Sequence, residues 1–264
     1  MTINRSRDEI SSNKTFLSAL IITYNEEHNI KNVLNDLDFA DEIIVVDSFS
    51  TDKTVAIAAD HKNVKVVQHP FENYPSQRNY AISLATHSWI LFLDADERLT
   101  AELKEEIIET IHDKNSFSAY YCCRTFMFKN IKLHFSGWQT DKIIRLFKKE
   151  KAQYDLGKIV HEKLTVTGKI GKLKNELIHY SFRSYNEYRQ KMSVYGKLKA
   201  IEELNKGTKP TFFHFYVRPV YQFLYQYVIR MGILDGKKGI VICYLNAYSV
   251  YVRFQELKRL RLND

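Results

Sequence analysis

Two carboxylates one residue apart, Asp94 and Asp96, directly follow the apolar run WILFL at 89–93. Acidic groups this close repel each other unless a cation or a donor offsets them. Mg2+ or Mn2+ suits such a pair, because a hard ion takes one or two carboxylates and draws its other ligands from substrate phosphates and water. The bland alternative is a capping turn ahead of a helix at Thr100. A decoy stands at Asp36-Leu37-Asp38. There Leu37 belongs to an apolar helix face, so those carboxylates are expected to be solvated helix-end residues. Two earlier apolar runs also end in polar groups, at Thr23-Tyr24-Asn25-Glu26 and at Asp47-Ser48.

The elements that must hold these residues follow from periodicity. Runs 17–23, 42–47, 64–68 and 89–93 are apolar nearly throughout, as strands buried on both faces are. Between them, Ile30, Val33, Leu34 and Leu37 mark one helix face, 50–60 a short second helix, and Ala81, Leu84 and Ala85 a third. Asn25 is the expected cap of the first helix and Ser76 of the third. Leu103, Ile107 and Ile111 face inward on a fourth helix. Alternating strands and helices predict an α/β class, a mostly parallel sheet with helices on both faces. Ligands of such sheets bind beyond the C-terminal strand ends, where the polar groups fall. Short β-like pieces follow from about 119 to 181, and the capping box Ser184-Tyr185-Asn186-Glu187 opens a long helix.

The runs LIITYNEEHNI, IIVVDSFSTDKT, SQRNYAI and WILFLDADERL, in this order and spacing over residues 17–99, resemble glycosyltransferase family 2 with its GT-A fold. Val160-His161-Glu162, His179-Tyr180 and Gly232-Ile233-Leu234-Asp235-Gly236 resemble the subgroup of bacterial lipopolysaccharide-core β-glucosyltransferases. The resemblance implies an inverting transfer of a sugar, glucose by preference, from a UDP-sugar donor to a lipopolysaccharide-core or lipid-linked glycan acceptor. It implies that Thr23, Tyr24 and Glu26 line the nucleoside pocket, that Asp47 accepts from uracil or ribose, and that Arg78 lies near base or phosphates. Asp94 would face ribose and metal, and Asp96 would ligate the metal. Glu162 aligns with the acidic residue that takes the acceptor proton, although His161-Glu162 replaces the usual Glu-Asp; its alternative is a surface ion pair with Lys158 or Lys163. His179 would complete the metal shell or touch the diphosphate, or it is a satisfied core histidine after Leu177-Ile178. His134, Trp138 and Arg145 fall where acceptor-facing loops usually lie.

Composition limits the classes. The net charge of +8 is uneven: residues 1–150 carry 18 Lys and Arg against 22 Asp and Glu, and 151–264 carry 21 against 9. The C-terminal part should therefore meet an acidic partner. Three cysteines, Cys122, Cys123 and Cys243, form neither a disulfide framework nor a metal spacing and suit a reducing compartment. No G-x-G-x-x-G follows the first strand, which disfavours a dinucleotide oxidoreductase. The expected organisation is a disordered tail at 1–15 without a secretory h-region, a catalytic domain at 16–183, and a helical extension at 184–264.

That extension holds 12 of the 35 Phe, Tyr and Trp residues within 212–254. Arg218, Gln222, Gln226 and Arg230 make a polar stripe at i, i+4, i+8, i+12, and Asn246, Ser249, Arg253 and Glu256 repeat it. The pattern predicts a helical hairpin through a turn at 232–239. It serves either as a cap on the catalytic domain or a second subunit, or as an interfacial anchor on anionic lipid that leaves the protein cytoplasmic and peripheral on the inner membrane face. Because the aromatics fall on wide apolar helix faces, nucleic acid is not an expected partner. A non-catalytic nucleotide-sugar or glycan-binding module on the same fold is the alternative function.

Overall fold

A computed structural model describes residues 15–157, 163–182 and 184–262. Residues 1–14 and the segment with Val160, His161 and Glu162 lie outside the described residues. The chain forms two compact units. One holds the described residues up to Arg124 together with Lys142–Ile178; the other holds Thr125–Asp141 and the described residues from His179 onward.

The first unit opens with β1 (Leu17–Thr23), α1 (Ile30–Asp36), β2 (Glu42–Asp47), α2 (Thr54–Ala59), β3 (Val64–Gln68), α3 (Tyr74–Leu84) and β4 (Trp89–Asp94). β5 (Glu97–Leu99) and α4 (Ala101–His112) follow. β1 pairs in parallel with β2 and β4, and β2 with β3. The remaining strands are β6 (Ala119–Phe128), β7 (Ile131–Leu133), β8 (Lys142–Lys148), β9 (Ala152–Tyr154), β10 (Leu164–Val166) and β11 (Ile170–Phe182). β8 runs antiparallel to both β4 and β6, so the sheet order is β3-β2-β1-β4-β8-β6-β11-β5. The parallel half matches the expected α/β class; β6, β7 and β8, from the stretch after residue 119, add antiparallel pairs. Leu17, Ala19 and Ile21 pack with α1 and α4 on one face, while Leu20 packs with Ala81 and Ile82 of α3 on the other. Alternate side chains of one buried strand thus serve two cores.

Local readings of caps needed correction. Asn25 does not cap α1, which begins at Ile30; it takes a left-handed φ of 55° and turns the chain sharply after β1. Ser76 does not cap α3: Asn73 does, its side chain accepting from Ser76 N at 2.9 Å with Pro75 in the first turn. The second helix is shorter than expected, because residues 50–53 are spent on loop contacts. Asp36 is not solvated. It is buried and accepts from Arg98 Nε at 2.6 Å, Lys104 Nζ at 3.2 Å and the Leu99 amide at 3.1 Å. Asp38 is the exposed member of that pair, beside His61 at 3.3 Å. Thr100 and Ser184 cap as predicted, each accepting at 3.1 Å from the third residue onward.

In the second unit β7 pairs with the end of β6, and this hairpin packs with α5 (Tyr185–Asn205) and α7 (Gly236–Leu262) through Phe126, Phe128, Leu133, Tyr188, Met192, Ile242 and Leu245. The helical hairpin expected near the C-terminus is present. Its first arm runs through an i→i+5 turn at Phe213–Val217, α6 (Arg218–Leu224) and a second such turn at Tyr225–Ile229. At the bend a Cβ on Gly239 would collide with the carbonyl oxygen of Gly232, so only glycine fits there. Asp235 clamps the bend to the loop after β7, accepting from His134 N (2.9 Å), Phe135 N (3.1 Å) and Ser136 Oγ (2.7 Å).

Candidate active site

Register places the polar strand ends together. Thr23 lies opposite Asp47 across β1–β2, and Ile22 opposite Asp94 across β1–β4. Three neighbouring parallel strands therefore deliver Asp47, Thr23 and Asp94 to one rim, the C-terminal edge at which such sheets bind ligands.

The first two loops on this rim are laced to each other. The Asn25 amide donates to Ser50 Oγ at 2.8 Å, and Asn25 Oδ1 accepts from Thr51 N at 2.8 Å. The Glu26 amide donates to Thr54 Oγ1 (2.8 Å), the Glu27 amide to Asp52 (3.1 Å), and Lys53 N returns a bond to Glu27 (3.1 Å). Asp47, fully buried, holds the second loop by accepting from the Ser50 amide (2.8 Å) and hydroxyl (2.5 Å). The lacing leaves Tyr24 and Phe49 exposed, one on each loop. Thr23 is buried, and its Oγ1 has no partner among the described residues. Glu26 accepts from Asn29 Nδ2 at 2.6 Å.

The start of α3 joins three loops through three consecutive residues. Gln77 Nε2 donates to Ser48 Oγ at 3.1 Å, Arg78 Nη2 to Asp94 Oδ1 at 2.8 Å, and Asn79 exchanges bonds of 2.9 Å with the Tyr154 backbone. Arg78 is buried, its guanidinium 4.9 Å from the Phe92 ring centre and 5.5 Å from that of Tyr154. An exposed helical arginine, the bland expectation for this position, is thereby excluded.

Arg145 on β8 completes a buried network. It is wholly inaccessible, donates to Asp94 Oδ2, and donates to Glu97 Oε1 at 2.8 Å. Glu97, also inaccessible, accepts from the Asp94 amide at 3.1 Å and stands 3.5 Å from Arg124. Burial alone would push the Arg145 guanidinium toward neutrality, but Asp94 and Glu97 outweigh it and hold the proton more tightly than usual. Its Nε and Nη1 have no partner among the described residues. Arg145, Glu97 and Arg124 were not singled out as a cluster from the chain, since they lie 21 to 48 residues apart. The available signal was Glu97 itself, an acid placed directly after Asp94-Ala95-Asp96.

The rim thus joins Thr23, Asp47, Arg78 and Asp94, with Asp96 half-buried in the turn from β4 to β5. His179 lies on β11 in the second unit, buried, its ring 4.8 Å from that of Phe126, which also stacks on Trp138. Among the described residues no three His, Cys, Asp or Glu side chains form a ready metal cluster. Chemically, the arrangement offers a carboxylate, Asp94, oriented by two buried guanidiniums, a half-buried carboxylate for a hard ion, and two exposed aromatics for a planar group. Cys122 and Cys243 are buried free thiols, with burial pushing Cys122 to about 12 and Cys243 to about 11.

Residues 18–168 match the sequence profile described as Glycosyl transferase family 2. A glycosyltransferase of Rickettsia felis is 31% identical over 253 residues, covering 92% of this chain and 89% of its own. The lipopolysaccharide core biosynthesis glycosyltransferase LpsC of Rhizobium meliloti is 26% identical over 260 residues, covering 94% and 96%. Among solved structures, S. aureus TarS 1–349 in complex with UDP aligns over 95% of this chain and 92% of that one, with 18% identity and a TM-score of 0.46.

Proposed function

We propose that this chain, which belongs to glycosyl transferase family 2, moves a sugar, glucose in our reading, from a UDP-sugar to a hydroxyl of a lipopolysaccharide-core or lipid-linked glycan, with inversion, at the inner face of the cell membrane. The observation that carries the donor site is the convergence of Asp47, Thr23 and Asp94 on one rim, with Asp96 in the next turn. The name of the R. meliloti relative supports a lipopolysaccharide-core acceptor.

In this reading Tyr24 packs on the nucleoside, Glu26 and Thr23 line its pocket, and Asp47 holds the loop that meets uracil and ribose. Arg78 and Arg145 set the orientation of Asp94, whose two oxygens accept from them. Asp96 fits as the chief protein ligand of Mg2+ or Mn2+, because such an ion is content with one or two carboxylates plus diphosphate oxygens and water. Asp94 lies beside it, and His179 is the further ligand that the family resemblance implies. When bound, the ion supplies positive charge that stabilises the departing diphosphate. The acceptor oxygen forms its bond to the anomeric carbon as the bond from that carbon to UDP breaks. Glu162, outside the described residues, takes the acceptor hydroxyl proton.

A thermal-shift panel of nucleotides and UDP-sugars, with and without Mn2+, tests the donor reading. UDP and its sugars should raise Tm, and more so with Mn2+, whereas Asp96→Ala should lose the Mn2+ increment. Glu162→Gln should keep the UDP shift and lose transfer. No response to any uridine nucleotide would end the reading.

A further inference from the structure

The first arm of the C-terminal hairpin is inside out. A surface helix of a water-soluble protein turns its apolar stripe to the core and its polar face to solvent. Here the polar stripe faces the protein. The Arg218 guanidinium lies over the Phe254 ring of α7 at 5.4 Å, and Gln226 Oε1 accepts from Asn246 Nδ2 of α7 at 2.8 Å. Arg230 donates to Gly137 O at 3.2 Å and Thr140 Oγ1 at 2.8 Å.

Two apolar rows face outward. One runs Phe212, Tyr216, Val220, Leu224, Val228, and the other is the same row displaced by one residue, from Phe213 to Ile229. Every member is exposed, from 38% at Tyr225 to 73% at Phe212. On an α-helix of 3.6 residues per turn, a row at i, i+4 drifts about 40° per step and would wind around the arm. The two i→i+5 turns flanking α6 rotate less per residue and reverse that drift. The rows therefore stay aligned along one side, and rings meet along them, Phe212 tilted against Tyr216 at 4.6 Å and Tyr221 stacked on Tyr225 at 6.0 Å. Met231, Ile233 and Leu234 extend the exposed surface into the bend. An apolar patch of this extent marks a binding surface.

We propose that this side of the arm docks on an anionic bilayer surface and lies in the headgroup plane. Charge selects that occupant. Between Glu203 and Asp235 the chain has no acid; Arg218 and Arg230 turn inward, but Lys206 and Lys209 are exposed ahead of the arm, and Lys237 and Lys238 follow the bend. Tyrosines set among Val, Leu and Ile suit the depth at which one end of a ring is wet. A two-fold contact with a second copy would bring the same bases against themselves. Among the described residues no helix is long and apolar enough to cross a membrane, so the arm lies on the bilayer rather than through it.

The inference rests on the proposed reading only in that a lipid-linked acceptor would give the docking its purpose. The test is co-flotation of the full chain with phosphatidylcholine vesicles containing about a third phosphatidylglycerol, and with phosphatidylcholine alone. Tyr221→Gln with Ile229→Gln alters only exposed side chains, so the fold should persist, checked by an unchanged UDP thermal shift. The wild type should float with anionic vesicles at least tenfold better than the double variant, and raised salt should weaken it. Wild type that stays unbound, or a double variant that floats equally well, overturns the proposal. A lipid-free dimer by sedimentation, lost in the double variant while neither protein floats, overturns it in favour of self-association. Flotation without any nucleotide response would leave docking standing and remove the donor reading instead.

Discussion

α4 and the first arm of the C-terminal hairpin obey one rule with opposite results. On α4, Leu103, Ile107 and Ile111 are buried against the sheet while Glu102, Glu105 and Glu109 face solvent. On the arm, Gln226 and Arg230 are tied into the protein and ten apolar side chains face out. Apolar surface must be covered in both cases. α4 finds its cover in its own sheet; the outward rows of the arm have none among the described residues. The contrast extends to charge. The first unit draws opposite charges inward and closes them into a network, whereas the second turns Arg230 inward onto uncharged oxygens and leaves Lys206, Lys209 and Lys237 toward solvent.

The sharpest way to break this contrast is at Arg145. Arg145→Met strands Glu97 and Asp94 without their shared cation, and removal of one member of a buried pair costs about 3–5 kcal/mol. A urea melt should show that loss, and Arg145→Lys should recover only part of it, since a strongly hydrated ammonium on a different stem replaces the planar guanidinium whose Nη2 meets both Asp94 and Glu97. A loss below about 1 kcal/mol would mean the network contributes no cohesion. The matching change in the second unit is Asp235→Ala, which leaves the amides of His134 and Phe135 unpaired. It should cost about 2–3 kcal/mol in the same melt, and less than Arg145→Met if inward charge matters more in the first unit.

The smallest effect is expected at Asp36, whose cations are partly solvated and so screened. Asp36→Asn should cost about 1–2 kcal/mol at neutral pH. Burial alone would raise the Asp36 carboxyl, but the Arg98 hydrogen bond and charge, with Lys104 and the Leu99 amide, bring it below its ordinary 3.8. A depressed folded value means the stabilisation is present above about pH 4 and is lost as pH falls further through that lower value. The variant should therefore lose less stability than the wild type between pH 4 and pH 2, and parallel pH curves would show that Asp36 is not held in this way.

These same residues show where a linear chain stops being readable. β1, β2 and β4 were legible because continuous apolar runs describe burial on two faces without reference to anything distant; β3 was found as a strand, but it lies at the sheet edge and leaves Lys65 and Gln68 exposed instead of being buried on both faces. The rim was legible too, since polar groups at the ends of parallel strands must meet at one edge. Asp36 was not, because its helix face says nothing of Arg98, 62 residues later, whose guanidinium covers it. The buried pairing of Arg78 and Arg145 was hidden for the same reason: an arginine looks solvated until an acid arrives from elsewhere in the chain, Asp94 for both and Glu97 as well for Arg145. Asn25 and Ser76 satisfied the local grammar of caps and lost to neighbours, one drawn to the second loop and one preceded by a better acceptor at Asn73. The polar stripe of the arm was visible, but periodicity cannot say which side of an amphipathic helix is the inner one.

The lacing of the first two rim loops has a mechanical consequence. Amides and acceptors alternate between them, from Asn25 to Ser50, from Thr51 back to Asn25, from Glu26 to Thr54 and from Lys53 back to Glu27. Neither can swing aside while the other stays, since each leans on the other at both ends. The mouth of the site therefore has one hinged lip instead of two independent ones, and any motion that admits a guest there must carry Tyr24 and Phe49 together.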